Sequence, residues 1–316
     1  MLSACGSGSA VAPSTSGTTA EYLGTSAIPV FGAHPKARAL PGYPMILPDV
    51  IPKSKYYEYI INDYGTYAGI FEYPKSDAMV GKITNVGGQG CTNKLYGYGD
   101  NLFWIVAGSD QISLYSAPKT LVRNLSDSEG APSSCAMNRN GDLAVGILYG
   151  THGGDVIIYK SSKGKGIAYS TGLVREYFDG YDPSGNLYAD GFNANYEFEI
   201  DELPNGSSKF VRVTTSNKIH FPGSVQWDGT YLDVTDQGTE EMYQYNEHGT
   251  MLNRHNKILL SGSNDCAQTW IATKVVYCAD AGTNTGYVFN YPAGGSPVAM
   301  FTGDFAIPLG TVAVRR

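Results

Sequence analysis

Histidines, carboxylates and cysteines are the residues of this chain that could do chemistry, and their spacing limits which chemistry. The five histidines, His34, His152, His220, His248 and His255, are scattered, with no His-x-Glu or His-x-x-x-His pair to hold a metal. His220 is the candidate general base, a role that requires a carboxylate partner within hydrogen-bond reach. Gly6-Ser7-Gly8-Ser9-Ala10 nearly mimics a nucleophile elbow but has no strand before it. Gly87-Gly88-Gln89-Gly90 and Gly153-Gly154 open no helix, so no phosphate cradle follows. The aspartates recur: Asp190, Asp236 and Asp280 each end a similar apolar phrase. An Asp in that place ordinarily accepts backbone N–H bonds from the following turn. Several of them around one opening, with other hard oxygen ligands, could instead hold Ca²⁺ or another divalent cation. There is no Cys-x-x-Cys, so zinc is not expected.

The elements that must position these residues are short strands. The chain has 39 Gly and 24 Tyr among 316 residues and is only 16% charged, a composition of strands and tight turns rather than helices. No stretch sustains a helical apolar period. Gly185-Asn186-Leu187-Tyr188-Ala189-Asp190, followed by Tyr196-Glu197-Phe198-Glu199-Ile200, reads as a turn, a strand, a loop and a second strand. Variants of this phrase recur, and Gly141, Gly185 and Gly229 hold one turn position at intervals of 44 residues. Four short strands every 40–45 residues are the signature of a β-propeller blade. Residues 56–316 hold about six such units, the later five beginning near Cys91, Ser134, Phe178, Gly223 and Cys266. The first unit lacks an inner strand, and 311–314 reads as an inner strand with nothing after it. The expected fold is therefore an all-β, six-bladed β-propeller in which one C-terminal strand completes the first blade, a 1+3 closure that removes free sheet edges.

Two segments precede the repeats. Residues 1–20 are small and polar and cannot bury enough apolar area to fold. Residues 21–55 are proline-rich, which excludes helix and central strand, and read as an extended arm. Leu2-Ser3-Ala4-Cys5-Gly6 resembles the bacterial lipobox, which implies lipidation of Cys5, a flexible tether and export. A signal peptide also needs basic and apolar regions before its cleavage site, and here Met1 to Ala4 alone precede Cys5. The expectation is a bacterial cell-envelope lipoprotein or secreted protein that meets the membrane only through its anchor. A net charge of −7 argues against nucleic acid as a partner.

Leu187-Tyr188-Ala189-Asp190 and the stretch from Val276 to Val288 resemble the repeat phrase of NHL-repeat propellers, whose superfamily includes gluconolactonase/SMP-30-like and streptogramin-lyase-like enzymes. The resemblance implies a ligand site at the channel mouth lined by the starts of the inner strands and the loops between second and third strands. In this chain that mouth would gather Cys91, Asn93, Cys135, Asp179, Gly223, Asp265 and Cys266, ringed by Asp63, Asp110, Asp190, Asp236 and Asp280. The ligand-binding candidates are Asn93, Asp179, Asp190, Asp236 and Asp280. The lactonases also imply a channel metal, but their early Glu-Gly-Pro phrase has no counterpart, so no metal ligand is assigned and no cofactor is expected beyond such a cation. The lyases imply a channel histidine, for which His220 is the counterpart.

Cys266 and Cys278 fall on neighbouring antiparallel strands, and Cys91 and Cys135 start the inner strands of adjacent blades. Each pair could form a disulfide, or all four could be buried small hydrophobes. Trp104, Trp227, Trp270, Tyr96, Tyr188 and Tyr231 are expected to pack between blades. The functional expectation is a monomeric, non-catalytic binding or scaffold module for a protein or a small polar ligand. The alternative is a lactonase- or lyase-type enzyme using Asp179, His220 or Asp265.

Overall fold

The computed structural model describes residues 56–62, 66–107, 111–126, 130–150 and 153–316. Cys5, the tether, the proline-rich arm, His34, His152, Asp63 and Asp110 lie outside the described residues.

The described residues form 24 strands and one short 3₁₀ turn at Lys160–Ser162. One sheet has the order β24 (Pro308–Arg315), β1 (Tyr56–Asn62), β2 (Tyr67–Phe71) and β3 (Met79–Thr84). The C-terminal strand thus lies against the first, antiparallel, from Tyr56↔Arg315 to Asn62↔Pro308. The next sheet is β4 (Gln89–Thr92), β5 (Leu102–Ala107), β6 (Gln111–Ser116) and β7 (Thr120–Leu125). A third is β8 (Pro132–Met137), β9 (Leu143–Gly150), β10 (Gly153–Tyr159) and β11 (Ile167–Ser170).

The fourth sheet has eight strands rather than four. Half of it is β12 (Arg175–Tyr181), β13 (Leu187–Phe192), β14 (Phe198–Leu203) and β15 (Val211–Thr215). The other half is β16 (Val225–Trp227), β17 (Leu232–Asp236), β18 (Glu241–His248) and β19 (Met251–Leu259). The expectation of separate four-stranded units is corrected here, because the two outer strands meet in parallel at Thr214↔Met251 and Thr215↔Leu252. β19 is long enough for its first residues to reach past its own sheet, and Arg254 N–H also donates to Ser216 Oγ at 2.8 Å. The last sheet is β20 (Cys266–Ala272), β21 (Val275–Asp280), β22 (Thr285–Asn290) and β23 (Gly294–Phe301).

Burial follows position within each set of four. Second strands such as β21 and β13 are buried at every residue, whereas the outer strands β3 and β7 lie largely at the surface. The core lies between sheets and is aromatic-rich: Phe71 and Phe301 rings are 4.5 Å apart, and Tyr59 and Phe103 rings 4.2 Å. Of the expected packing residues, Trp104, Trp270 and Tyr188 are buried, while Tyr96 is partly exposed and Tyr231 stacks on the His255 ring at 4.2 Å. The recurrent turn has one chemistry. Asn138, Asp182 and Asp228 each accept backbone N–H bonds from the residues that follow, and Gly141, Gly185 and Gly229 sit at φ 81°, 87° and 107°, where a side chain would be strained.

The strands β4, β8, β12, β16, β20 and β24 face a common centre. β4 packs on β8, β8 on β12, β12 on β16, β20 on β24 and β24 on β4. Between β16 and β20, Thr269 N–H donates to Ser224 Oγ and Ile271 N–H to Gln226 Oε1, each at 2.7 Å. This arrangement of sheets around a centre is propeller-like.

Candidate functional site

Three of the central strands carry a bulge at the same place, one or two residues after they begin. Register breaks between Pro132 and Ser134 in β8, between Glu176 and Phe178 in β12, and between Cys266 and Gln268 in β20. A bulge adds one residue and so resets the alternation of faces. In an unbroken β12, Glu176 and Asp179 would point to opposite faces. With Tyr177 bulged, both carboxyls reach the two adjacent serines of β8, themselves brought together by the bulge at Ser133.

The resulting cluster is closely hydrogen-bonded. Ser133 Oγ donates to Glu176 Oε2 at 2.8 Å, while Ser134 Oγ lies 3.0 Å from Glu176 Oε1 and 2.9 Å from Asp179 Oδ2. Both carboxyls are buried, and burial pushes both upward in pKa, Asp179 to about 7. Desolvation disfavours the charged form of both, and the Asp179 charge raises Glu176 further, whereas hydrogen bonds from Ser134 and Glu176 draw Asp179 back down. Glu176 therefore keeps its proton and supports Asp179 by a hydrogen bond. Asp190, which accepts Gly223 N–H at 3.2 Å, is raised by the same cause. A protonated buried carboxyl pair is an acid in reserve, provided something can reach it.

Other polar side chains of the centre mostly satisfy one another. Gln268 Oε1 accepts Gly90 N–H at 3.0 Å and Thr311 N–H at 2.8 Å, while its Nε2 donates to Gly90 O at 2.8 Å. One side chain from β20 thus ties β4 and β24. Gln226 Nε2 reaches Leu95 O at 3.2 Å and Ile271 O at 3.3 Å, and Gln89 Nε2 reaches Tyr177 O at 3.3 Å. Thr235 and Thr269 hydroxyls are 3.0 Å apart, and Thr311 donates to Glu58, a carboxyl that burial also holds well above its ordinary range. A cavity of about 40 Å³ remains, lined by Gln89, Asp179, Ser224, Gln226, Gln268 and Thr269, then by Lys94, Leu95, Trp227 and Trp270. That is room for a few waters. The latter residues lie at the ends of the central strands, so the cavity runs toward the side opposite the mouth expected from sequence.

The aspartates that close second strands hold loops in place. Asp236 Oδ2 accepts His220 N–H at 2.8 Å and lies 2.9 Å from His220 Nδ1, while Oδ1 accepts Phe221 N–H at 3.1 Å and Gly238 N–H at 3.0 Å. Asp280 accepts Asn264 N–H at 2.7 Å, Asp265 N–H at 3.2 Å and Thr283 N–H at 2.9 Å. In the first sheet this place belongs to Asn62, whose Oδ1 accepts Ala306 N–H at 2.8 Å ahead of β24. Asp265 is pushed to about 7, first by burial and then by Asp280. Asn93 lies apart at the surface, where its Oδ1 accepts Asp100 N–H at 3.2 Å in the loop after β4. Asp179, His220 and Asp265 therefore belong to three separate hydrogen-bonded groups. Glu176, Ser133, Ser134 and Gln268 went unnoticed in the sequence; the available signal was a polar pair at the start of a repeat's first strand.

Cysteine positions complete the picture. Cys91 and Cys135 form a disulfide between β4 and β8, closing 44 residues, and Cys266 and Cys278 form one within the last sheet, closing 12. Cys266, Cys278 and Asp280 place possible ligand atoms within 4.8 Å of one another, but disulfide sulfurs are not thiolates and the set does not suit a metal. Replacing Cys266 and Cys278 together by alanine is expected to lower unfolding free energy by about 3 kcal/mol through lost loop-closure constraint. Urea denaturation of the double variant beside the oxidised parent measures this.

Sheets around a packed polar centre define the class of protein, a β-propeller. No family model and no curated protein matches the chain in sequence. A chain from the crystal structure of the nidogen/laminin complex is similar in fold, with TM-score 0.64 and 14% identity over 82% of this chain and 98% of that chain. A functionally unknown protein from Desulfotomaculum acetoxidans DSM 771 is similar with TM-score 0.56 and 9% identity, over 82% of this chain and 99% of that one.

Proposed function

We propose that this chain is an exported, lipid-anchored β-propeller of the NHL-repeat and SMP-30-like superfamily, acting as a non-catalytic binding module for a protein or small polar ligand. Six blades account for the sheets if the eight-stranded one is two blades touching at their outer strands, since that contact is only two residue pairs long. The pairing of β24 with β1 is then a 1+3 closure. Two disulfides suit an oxidising compartment, and the Cys5 phrase suits an anchor.

The observation that carries the non-catalytic reading is that most of the central polar groups satisfy one another, with Asp179 Oδ1 and Asp190 Oδ1 among the exceptions. Gln268, Gln226 and the Ser133/Ser134/Glu176/Asp179 cluster bond to neighbouring strands rather than to an open, substrate-sized space. An enzyme is the second reading, favoured by the His220–Asp236 pair, which supplies the carboxylate partner that a general base needs. Incubating the full chain with a panel of simple lactones separates the two. The binding module leaves hydrolysis at the buffer rate. Turnover that disappears in His220→Ala or Asp179→Asn would establish the enzyme instead.

A further inference from the structure

The side of the molecule where the central strands begin holds a cation that the central network does not use. Arg175, the first residue of β12, is 7% exposed. Its guanidinium lies 4.8 Å from the centroid of the Tyr149 ring and 5.6 Å from that of Tyr196. The Tyr177 hydroxyl is in hydrogen-bonding reach of the same side chain. Its Nη1 is buried and has no hydrogen-bond partner. Among the described residues no carboxylate forms an ion pair with it. The adjacent acids Glu176 and Asp190 are held toward their neutral forms by burial, so they do not neutralise it.

A buried guanidinium without a counter-charge is costly, and ring faces compensate only in part. The rings covering it face solvent. Tyr149 is 39% exposed at the end of β9, and Tyr196 is 59% exposed in the turn between β13 and β14. Tyr196 has φ 58°, an uncommon conformation for a bulky residue. Asn193 holds that turn by accepting Asn195 N–H at 2.9 Å and Glu197 N–H at 3.1 Å. Phe192, the register partner of Arg175 on β13, packs edge to face on Phe221 at 5.1 Å. The site is therefore a buried guanidinium whose Nη1 lacks a partner, under two solvent-facing phenol rings.

We propose that Arg175 is the anchor of a ligand site for a carboxylate group, reached when the Tyr196 ring swings aside, with Tyr149 and Tyr196 flanking the body of the ligand. A planar guanidinium matches a carboxylate bidentately, and a charge-assisted pair of this kind supplies the partner that Nη1 lacks. An acidic sugar or a simple carboxylic acid would bring the same group; flanking phenol rings add contact to the sugar and little to the acid. The inference deepens the binding-module reading and rests on it, naming the ligand's chemistry.

Titration calorimetry of the full chain with glucuronate and, separately, acetate tests the site. The expected result is saturable binding of glucuronate that weakens about tenfold or more in Arg175→Gln. Tyr196→Ala, at an exposed turn, guards against a folding artefact: it is expected to weaken glucuronate several-fold with the melting temperature unchanged. Equal affinity for the two probes supports a simple-carboxylate site, and tighter glucuronate binding supports an acidic sugar. No saturable binding of either probe up to tens of millimolar, or binding unchanged in both variants, overturns the site. Those outcomes leave the binding-module reading standing, because lactone turnover alone decides it.

Discussion

Gln268→Leu is expected to destabilise the protein by about 5 kcal/mol, the largest effect of any single side chain at the centre. The substitution keeps volume and removes the amide, so the packing change is small. It orphans Gly90 N–H, Gly90 C=O and Thr311 N–H, all in buried strands. Each buried group left unpaired costs about 1–3 kcal/mol. The loss also falls where the chain closes, because Gly90 belongs to β4 and Thr311 to β24. Amide hydrogen exchange at Thr311 and Gly90 should accelerate more than exchange in β13 or β21. Equilibrium urea denaturation gives the total, and a loss under about 1 kcal/mol would mean that waters replace the amide.

Stability is expected to fall as pH rises from 6 to 8, against the usual behaviour of paired carboxylates. The sign follows from burial. Asp179 titrates near 7 in the folded chain and near 3.9 when unfolded. Between those values the folded state holds a proton that the unfolded state has lost, so raising pH favours unfolding. The stabilising proton is fully present below the unfolded value and is lost as pH passes the folded one. For Asp179 alone the penalty above pH 7 is about 4 kcal/mol at 1.36 kcal/mol per unit. Glu176 and Asp190, raised by burial as well, act in the same direction, as does Asp265. Urea midpoints at pH 6 and pH 8 measure the slope. Asp179→Asn should be more stable than the parent at pH 8 and should flatten the slope between pH 6 and 8 by about half a proton on average. A slope that is flat, or that the variant leaves unchanged, would place the titrating groups elsewhere.

Sequence and tertiary structure divide this protein between them in a way that particular residues make plain. The interval of 44 residues between Gly141, Gly185 and Gly229 is a local property, because each turn needs a left-handed residue and an Asx acceptor a few positions before it. Strand content and an all-β fold follow from such repeats. The spacing also brought Cys91 and Cys135 to corresponding places in successive units, 44 residues apart. A repeat alignment slips by one residue at the first unit, where Asn62 does what Asp236 and Asp280 do in theirs. That slip needed only a hydrogen bond to detect, and hydrogen bonds across a sheet are not written in spacing.

The candidate sites lay beyond the repeat pattern for a related reason. His220, Asp179 and Asp265 looked like one mouth when each was judged by its place along a strand, and the folded chain gives them separate partners in Asp236, Ser134 and Asp280. From composition, charge and period the amino-acid sequence by itself determined short strands, recurrent turns and the acidic balance, since these depend on neighbours a few residues away. Only the tertiary structure decided that a bulge at Tyr177 turns Glu176 toward Asp179, that Gln268 ties β4 to β24, and that Arg175 lies between Tyr149 and Tyr196. Each of these joins residues from different strands or sheets. Such meetings depend on register and closure, which the whole chain settles together.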